Sequence, residues 1–190
     1  MENIGTIQLQ TERLILRLLT TKDAQQMFDH WASDPKVTKY LTWKPYPTVK
    51  DVENNLSEYQ KNYIDPDYFF WGIEEQATQQ LIGTISASVA DKNTQTAEIG
   101  YCIGQNWWNN GYTSEALEKV IGYLFEYNDF KRIEAVHDAD NPASGKVMQK
   151  AGMTYEGMTH QRLVNNRGIV DGVYYAILKK DYKRRKTNNT

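Results

Sequence analysis

The segment Trp107-Trp108-Asn109-Asn110-Gly111-Tyr112-Thr113-Ser114-Glu115-Ala116 puts a glycine turn directly before a helix-forming run, and it constrains this chain more than any other feature. A helix start presents several backbone N–H groups without intrahelical partners, and the helix dipole adds positive character there. Phosphate oxygens settle at such a place without a lysine, and a glycine lets the backbone come close. On spacing alone, a helix start with nothing bound is the simpler reading.

The flanking segments sharpen it. Leu81–Ala90 and Thr96–Ile103 are rich in Ile and Val around the polar turn 91–95, which predicts a hairpin. Tyr112 to Tyr127 carries Ala116, Leu117, Val120, Ile121, Leu124 and Phe125 on one helical face. The glycine turn therefore links a strand to a helix. It lacks the Gly-Lys-Ser/Thr ending of an ATP-binding loop and the further glycines of a dinucleotide fingerprint.

Lys131–His137 reads as the next strand, followed by a helix over 141–153. Asn141 suits its N-cap, Pro142 its first turn and Gly152 its C-terminal stop. Asn141 and Ser144 fall three residues apart and present two polar side chains toward the space between the two strand–helix units. The sequence 153–163 and 169–178, around Asn165-Asn166-Arg167-Gly168, predicts a terminal hairpin whose tip is a turn first and a partner contact second.

At this point the chain resembles the GNAT superfamily of acetyl-CoA-dependent N-acetyltransferases. Thr11-Glu12-Arg13-Leu14-Ile15-Leu16-Arg17 is similar to the first strand of the branch of ribosomal-protein-alanine N-acetyltransferases (RimJ/RimL-like), and Ser33 to Leu41 to the following helix-turn segment. Glu98-Ile99-Gly100-Tyr101 with Trp108 to Ala116 resembles the pyrophosphate motif, and Asn141 to Met153 the last conserved helix. The resemblance covers about Thr11 to Tyr182. It implies an α/β (α+β) fold with a mixed central sheet, splayed between the fourth and fifth strands and flanked by about four helices.

It also implies a site. Ile99, Tyr101, Cys102 and Ile103 would meet the pantetheine arm of acetyl-CoA through the backbone of the splayed strand. Trp108, Asn110, Gly111, Tyr112, Thr113 and Ser114 would surround the pyrophosphate, Asn141 and Ser144 would face the arm and sulfur, and Lys150 or Lys146 would reach the ribose phosphate. Trp108 and Thr113 stand where the motif commonly has Gln or Arg and a small residue. Many relatives carry a tyrosine acid on the last helix where this chain has Met148, and a thioether cannot donate a proton. Ser144 is then the polar candidate on that helix for protonating the departing thiolate.

The acyl donor is already activated, so the protein must supply a neutral amine, alignment, charge stabilisation and a proton for the thiolate. A peptide α-amine with a pKa near 8 is roughly a tenth neutral at pH 7, and a lysine near 10.4 less than about one part in a thousand. A modest base suffices for an N-terminus. Glu98, leading into the phosphate loop, is the candidate, and Glu134 is held in reserve.

The remaining features exclude other classes. With 190 residues, 40% hydrophobic, the chain can bury a core in a single domain spanning 1–190 without cross-links. The lone Cys102 excludes an internal disulfide framework and reads as a small packed residue, the N-terminus lacks a signal pattern, and no apolar run approaches the roughly 20 residues that span a bilayer. A cytoplasmic location is expected, as monomer or homodimer. His30, His137 and His160 lack zinc-site spacing, and His137-Asp138-Ala139-Asp140 reads as a strand end and turn, so no metal is expected. A net charge of −2 gives no global basic surface, but Lys179, Lys180, Lys183, Arg184, Arg185 and Lys186 crowd the end. A flexible basic tail over 183–190 is expected, with ribosome contact as the sharper reading.

The expected function is transfer of acetyl from acetyl-CoA to a primary amine, foremost a protein N-terminus such as that of a ribosomal protein. The alternatives are a small-amine acceptor (polyamine, amino acid or aminoglycoside) and a non-enzymatic CoA-binding or RNA-associated module. An aromatic, acid-rich closed cleft would favour the small amine, and an open groove the protein.

Overall fold

A computed structural model describes residues 3–188. One eight-stranded sheet runs through it. In chain order come β1 (Leu9–Gln10), β2 (Leu14–Arg17), the short helices α1 (Ala24–Met27) and α2 (Pro35–Thr38), α3 (Val49–Asn62), β3 (Phe69–Glu75), β4 (Gln80–Asp91) and β5 (Thr96–Ile103). There follow α4 (Tyr112–Tyr127), β6 (Arg132–Asp138), α5 (Pro142–Lys150), β7 (Thr154–Asn165), β8 (Gly168–Leu178) and α6 (Lys179–Asn188). The spatial order is β1-β2-β3-β4-β5-β6-β8-β7.

Every neighbouring pair is antiparallel except β5 and β6. That parallel pair holds only at Thr96–Arg132, Ala97–Ile133 and Glu98–Glu134, and then the strands part. On its other side β5 stays paired to β4 as far as Ile103. From Ile99 onward, one backbone edge of β5 is thus free of any strand partner. The splay lies where expected, but between the fifth and sixth strands, because the two-residue β1 precedes β2.

Two apolar clusters fix this geometry, one on each face. Ala116, Leu117, Val120 and Leu124 of α4 are fully buried against Ile82, Ile85, Ala97 and Ile133, which seats α4 beside the start of the splay. Met27, Trp31, Val52 and Leu56 pack on the opposite face with Leu19 and Leu81. Side chains of this size each contribute about 1.5–3 kcal/mol on burial. On that face Glu98 lies exposed at the last paired position of β5 and β6. Among the described residues there are four α-helices of nine residues or more; α1 runs on into a π-helical segment over Phe28–Ala32, and α2 is a single turn.

At the end of the chain, where a flexible tail is expected, residues 183–188 belong to α6. Tyr182 donates to Glu126 at 2.7 Å, Lys186 pairs with the same carboxylate, and Arg185 donates to the Ala151 carbonyl at 3.1 Å. Arg185 thereby brings a cation to the C-terminus of α5, the negative end of its dipole. Gly152, at φ +88°, makes room, since a Cβ there would overlap the guanidinium. Asn189 and Thr190, the last residues of the expected tail, and Met1 and Glu2 at the start lie outside the described residues.

Candidate active site

Where β5 leaves β6, a cavity of about 490 Å³ opens, bounded by β5, the start of α4, the N-terminal half of α5 and the β7–β8 tip. Glu98, Ile99, Tyr101, Cys102, Ile103, Trp108, Thr113, Asn141 and Ser144 line it. Folding therefore gathers into one cleft residues that span nearly fifty positions of sequence. A larger hollow of about 720 Å³ between β1, α4 and α6 lies apart from all of them.

The phosphate end is built from backbone. Gly111 takes the left-handed conformation at φ +81° as the N-cap of α4, and no side chain caps the helix. Among the described residues the first-turn amides of Tyr112, Thr113 and Ser114 therefore have no capping side chain, which suits an anion. Trp108 closes the end of β5 by donating its indole N–H to the Ile103 carbonyl at 2.9 Å.

Several expected contacts are redirected. Tyr112 turns away from the cleft, its hydroxyl donating to Glu75 and its ring lying under Arg13, so only its backbone faces the cradle. Asn110 gives its carbonyl to Arg13 and its side-chain amide to the Trp108 carbonyl, and Ser114 does not line the cavity. Lys150 sits in the last turn of α5, about 9 Å along the axis from Ser144 at 1.5 Å per residue, and Lys146 also stays outside the cavity. Ile99 and Ile103 point their side chains into the core and Cys102 its thiol toward Thr84, at 3.2 Å. Burial raises the Cys102 thiol above its ordinary range, so these three can serve a ligand through backbone atoms. Asn141 occupies the N-cap position of α5 without capping it, and its side-chain amide has no hydrogen-bond partner among the described residues.

The two carboxylates differ sharply. Glu98 and Glu134 face each other at the last paired position of β5 and β6. Arg132 donates to Glu134 at 3.0 Å and also holds Glu156, so Glu134 has a cationic partner that it shares. Glu98 has no hydrogen bond or ion pair among the described residues. Its surroundings desolvate it and Glu134 adds like charge, and together they raise its carboxyl above the ordinary range.

Opposite Glu98, Tyr101 supplies a group that sequence reasoning valued only for its backbone. Its hydroxyl lies 3.0 Å from both the carbonyl and the Oγ of Ser144, spanning the splay. Burial raises the phenol, so it keeps its proton at neutral pH. Met148, at 2% exposure, is a core side chain below this bridge.

At the far end, the tip of the β7–β8 hairpin supports the wall. Asn165 at 2.8 Å and Arg167 at 3.0 Å hold Asp138, and Arg167 also pairs with Asp140. Burial pushes the Asp138 carboxyl up, but the bonds from Asn165, the Asp140 amide and Arg167 outweigh it and leave it below the ordinary range. Asn166 binds the Thr38 and Trp43 carbonyls through its amide at 2.9 and 2.7 Å. The tip is thus structural on both sides, with Leu163, Val164 and Asn165 lining the cavity opposite Tyr40, Leu41 and Thr42. His137, buried at 7% exposure, has an Nε2 without a hydrogen-bond partner. No group of three or more His, Cys, Asp or Glu suited to a metal occurs among the described residues. None of their helices is long and apolar enough to cross a membrane.

A parallel strand pair that parts beside an uncapped helix start is the arrangement expected of an N-acetyltransferase that takes its acyl group from acetyl-CoA. Residues 13–154 match the Acetyltransferase (GNAT) domain, and the chain belongs to that family. The uncharacterized N-acetyltransferase YoaA of Bacillus subtilis is 34% identical over 90% of this chain and 96% of its own. The [ribosomal protein uS5]-alanine N-acetyltransferase of Escherichia coli is 26% identical over 95% of each chain. Among solved structures, a GNAT-family acetyltransferase from Bacillus anthracis superposes with a TM-score of 0.80 at 28% identity, over 92% of this chain and 99% of that one.

Proposed function

We propose that this acetyltransferase modifies the N-terminal α-amine of a polypeptide, with Glu98 as the base and Ser144 as the hydrogen-bond donor to the leaving sulfur. Acetyl-CoA, when bound, supplies an acetyl group already activated as a thioester. The open amides at the start of α4 receive its pyrophosphate, and the free edge of β5 from Ile99 pairs with its arm. Asn141 and Ser144 approach from α5.

The observation that carries the acceptor class is the single unanswered carboxylate. A polyamine or aminoglycoside brings several positive charges, and each needs a partner when it leaves water. In this cleft Asp138 is answered by Arg167, Glu134 just outside it by Arg132, and Lys36 adds positive charge at the rim. Glu98 alone remains. One base and no further anions suit one amine on an otherwise neutral chain. The raised Glu98 carboxyl also stands nearer the α-amine in proton affinity than an ordinary glutamate does, which favours proton transfer between them. The uS5-alanine acetyltransferase activity of the Escherichia coli relative agrees with this class. In α6, the side chains of Lys179, Lys180, Lys183 and Arg184 make no bond to another element among the described residues and remain for a ribosomal or other acidic surface.

The test is thiol release from acetyl-CoA with peptides of varied first residue, a polyamine, free amino acids and an aminoglycoside. Acetylation at the peptide α-amine, located by fragmentation mass spectrometry, is expected. Turnover confined to polyamines, amino acids or aminoglycosides would overturn the reading.

A further inference from the structure

We propose that Arg13 is a positioning residue for the pyrophosphate cradle, acting by locking the peptide plane between Asn110 and Gly111. The inference rests on the cradle assigned above. Arg13 lies outside the cleft, near the start of β2, yet its guanidinium is engaged on every nitrogen. Nε and Nη2 each reach Glu115 at 2.7 Å, and Nη1 donates to the Asn110 carbonyl at 3.0 Å. The Tyr112 ring lies beneath, 4.5 Å from the guanidinium carbon. Glu115 is fixed in turn by the Arg13 amide at 3.0 Å and the Thr11 hydroxyl at 2.6 Å.

The consequence follows from peptide geometry. No described peptide bond is cis, and in a trans peptide the carbonyl and the next N–H point in opposite directions. Holding the Asn110 carbonyl on the guanidinium turns the Gly111 N–H away from Arg13. Gly111 at φ +81° borders this plane and Asn109 at φ +62° lies one residue before it, both in the left-handed region where the backbone turns sharply, and besides Arg13 the Asn110 side chain ties the loop to the Trp108 carbonyl. Without Arg13 the plane loses that restraint, and the Gly111 N–H, which the resemblance puts at the pyrophosphate, loses its alignment before any ligand arrives. A lysine cannot substitute, because a single ammonium does not span Glu115 and the Asn110 carbonyl in one planar fork.

The experiment compares calorimetric affinities for acetyl-CoA, its 3′-dephospho form and S-acetylpantetheine, which lacks the pyrophosphate. Arg13→Ala should weaken the first two by about tenfold, the scale of one charge-assisted hydrogen bond, and leave the third unchanged. Arg13→Lys should behave like the alanine variant, and Glu115→Gln should show the same pattern more weakly. These two keep the proposal testable where Arg13→Ala does not fold. Equal weakening of all three ligands would mean general loosening and would overturn it. Full binding by Arg13→Lys would show that charge alone acts on the phosphate, which also overturns it. Gly111→Val separates the premise: if that folded variant keeps the preference for acetyl-CoA over S-acetylpantetheine, the cradle reading fails. If Gly111→Val loses the preference and Arg13→Ala keeps it, the inference about Arg13 alone fails.

Discussion

The Tyr101 hydroxyl lies 3.0 Å from Ser144 Oγ and 3.0 Å from the Ser144 carbonyl, bridging β5 to the first turn of α5 where β5 and β6 have ceased to pair. A phenol has one proton, and a carbonyl can only accept. When Tyr101 donates that proton to Ser144 Oγ, the serine keeps its own proton for the leaving sulfur, and the bond fixes its rotamer beside the cleft. Where α5 offers Met148, a phenol from the neighbouring strand holds the remaining hydroxyl in place.

Removing that phenol oxygen should therefore act on the chemical step. Tyr101→Phe should lower kcat by about tenfold, and Ser144→Ala by about 10- to 100-fold, the lower range for one proton-transfer group. Both should leave acetyl-CoA affinity within about twofold, and both losses should shrink with an acyl donor whose thiol is more acidic. Steady-state kinetics with two donors reads this. Equal losses with both donors would reduce the pair to holding the arm.

Glu98→Gln should lower kcat/KM at neutral pH by about 10²- to 10⁴-fold with acetyl-CoA binding intact, and higher pH should recover rate as free amine accumulates. In the native enzyme, the acid limb of the rate profile should fall above the ordinary carboxylate range, as the direction of the Glu98 shift requires. A limb unchanged in the variant would assign it elsewhere.

The same shift has a stability consequence. A carboxyl raised in the folded state binds its proton more tightly there than in the unfolded chain, so its stabilising effect is present at low pH and is lost as pH rises through the folded-state value. Glu98→Gln should thus melt higher than the native protein at pH 7–8, and the gap should close in acid. A lower melting temperature at pH 7 would show that Glu98 is paired in solution.

Asp138 has the opposite sign. Held below its ordinary range, it stabilises above the unfolded carboxylate value, and that contribution is lost as pH falls through its folded value. Arg167→Met leaves the carboxylate buried with Asn165 and the Asp140 amide only. It should cost about 3 kcal/mol at pH 7, the lower range for one partner lost from a buried pair, and less in acid. Denaturant melts at two pH values check both parts.

The docking of α6 gives a separate test. Arg185→Ala removes the cation at the C-terminus of α5 and should cost about 1 kcal/mol, or some 2–4 °C in melting temperature for a chain of this length. A freely moving tail would lose nothing.

Much of this protein was legible in its sequence because the signals are local. The period of apolar residues marks α4, Gly111 marks the turn before it, and the hairpin of β4 and β5 follows from two apolar strands around a polar turn. Each depends on residues within a few positions of one another, where backbone sterics and one-sided burial leave few choices. Partnership is another matter. That Glu134 is answered by Arg132 while Glu98 stands alone depends on where β5 and β6 stop pairing. That Tyr112 leaves the cradle for Glu75, and that Arg185 reaches Ala151, are contacts between residues over thirty positions apart. That Tyr101 meets Ser144 requires α5 to cross the splay. The sequence alone determined which elements form, in what order, and which residue types they offer to the cleft. Only the tertiary structure decided which polar groups find each other, because hydrogen bonds and ion pairs form over about 3 Å, and it is the packing of distant elements that brings them within that range.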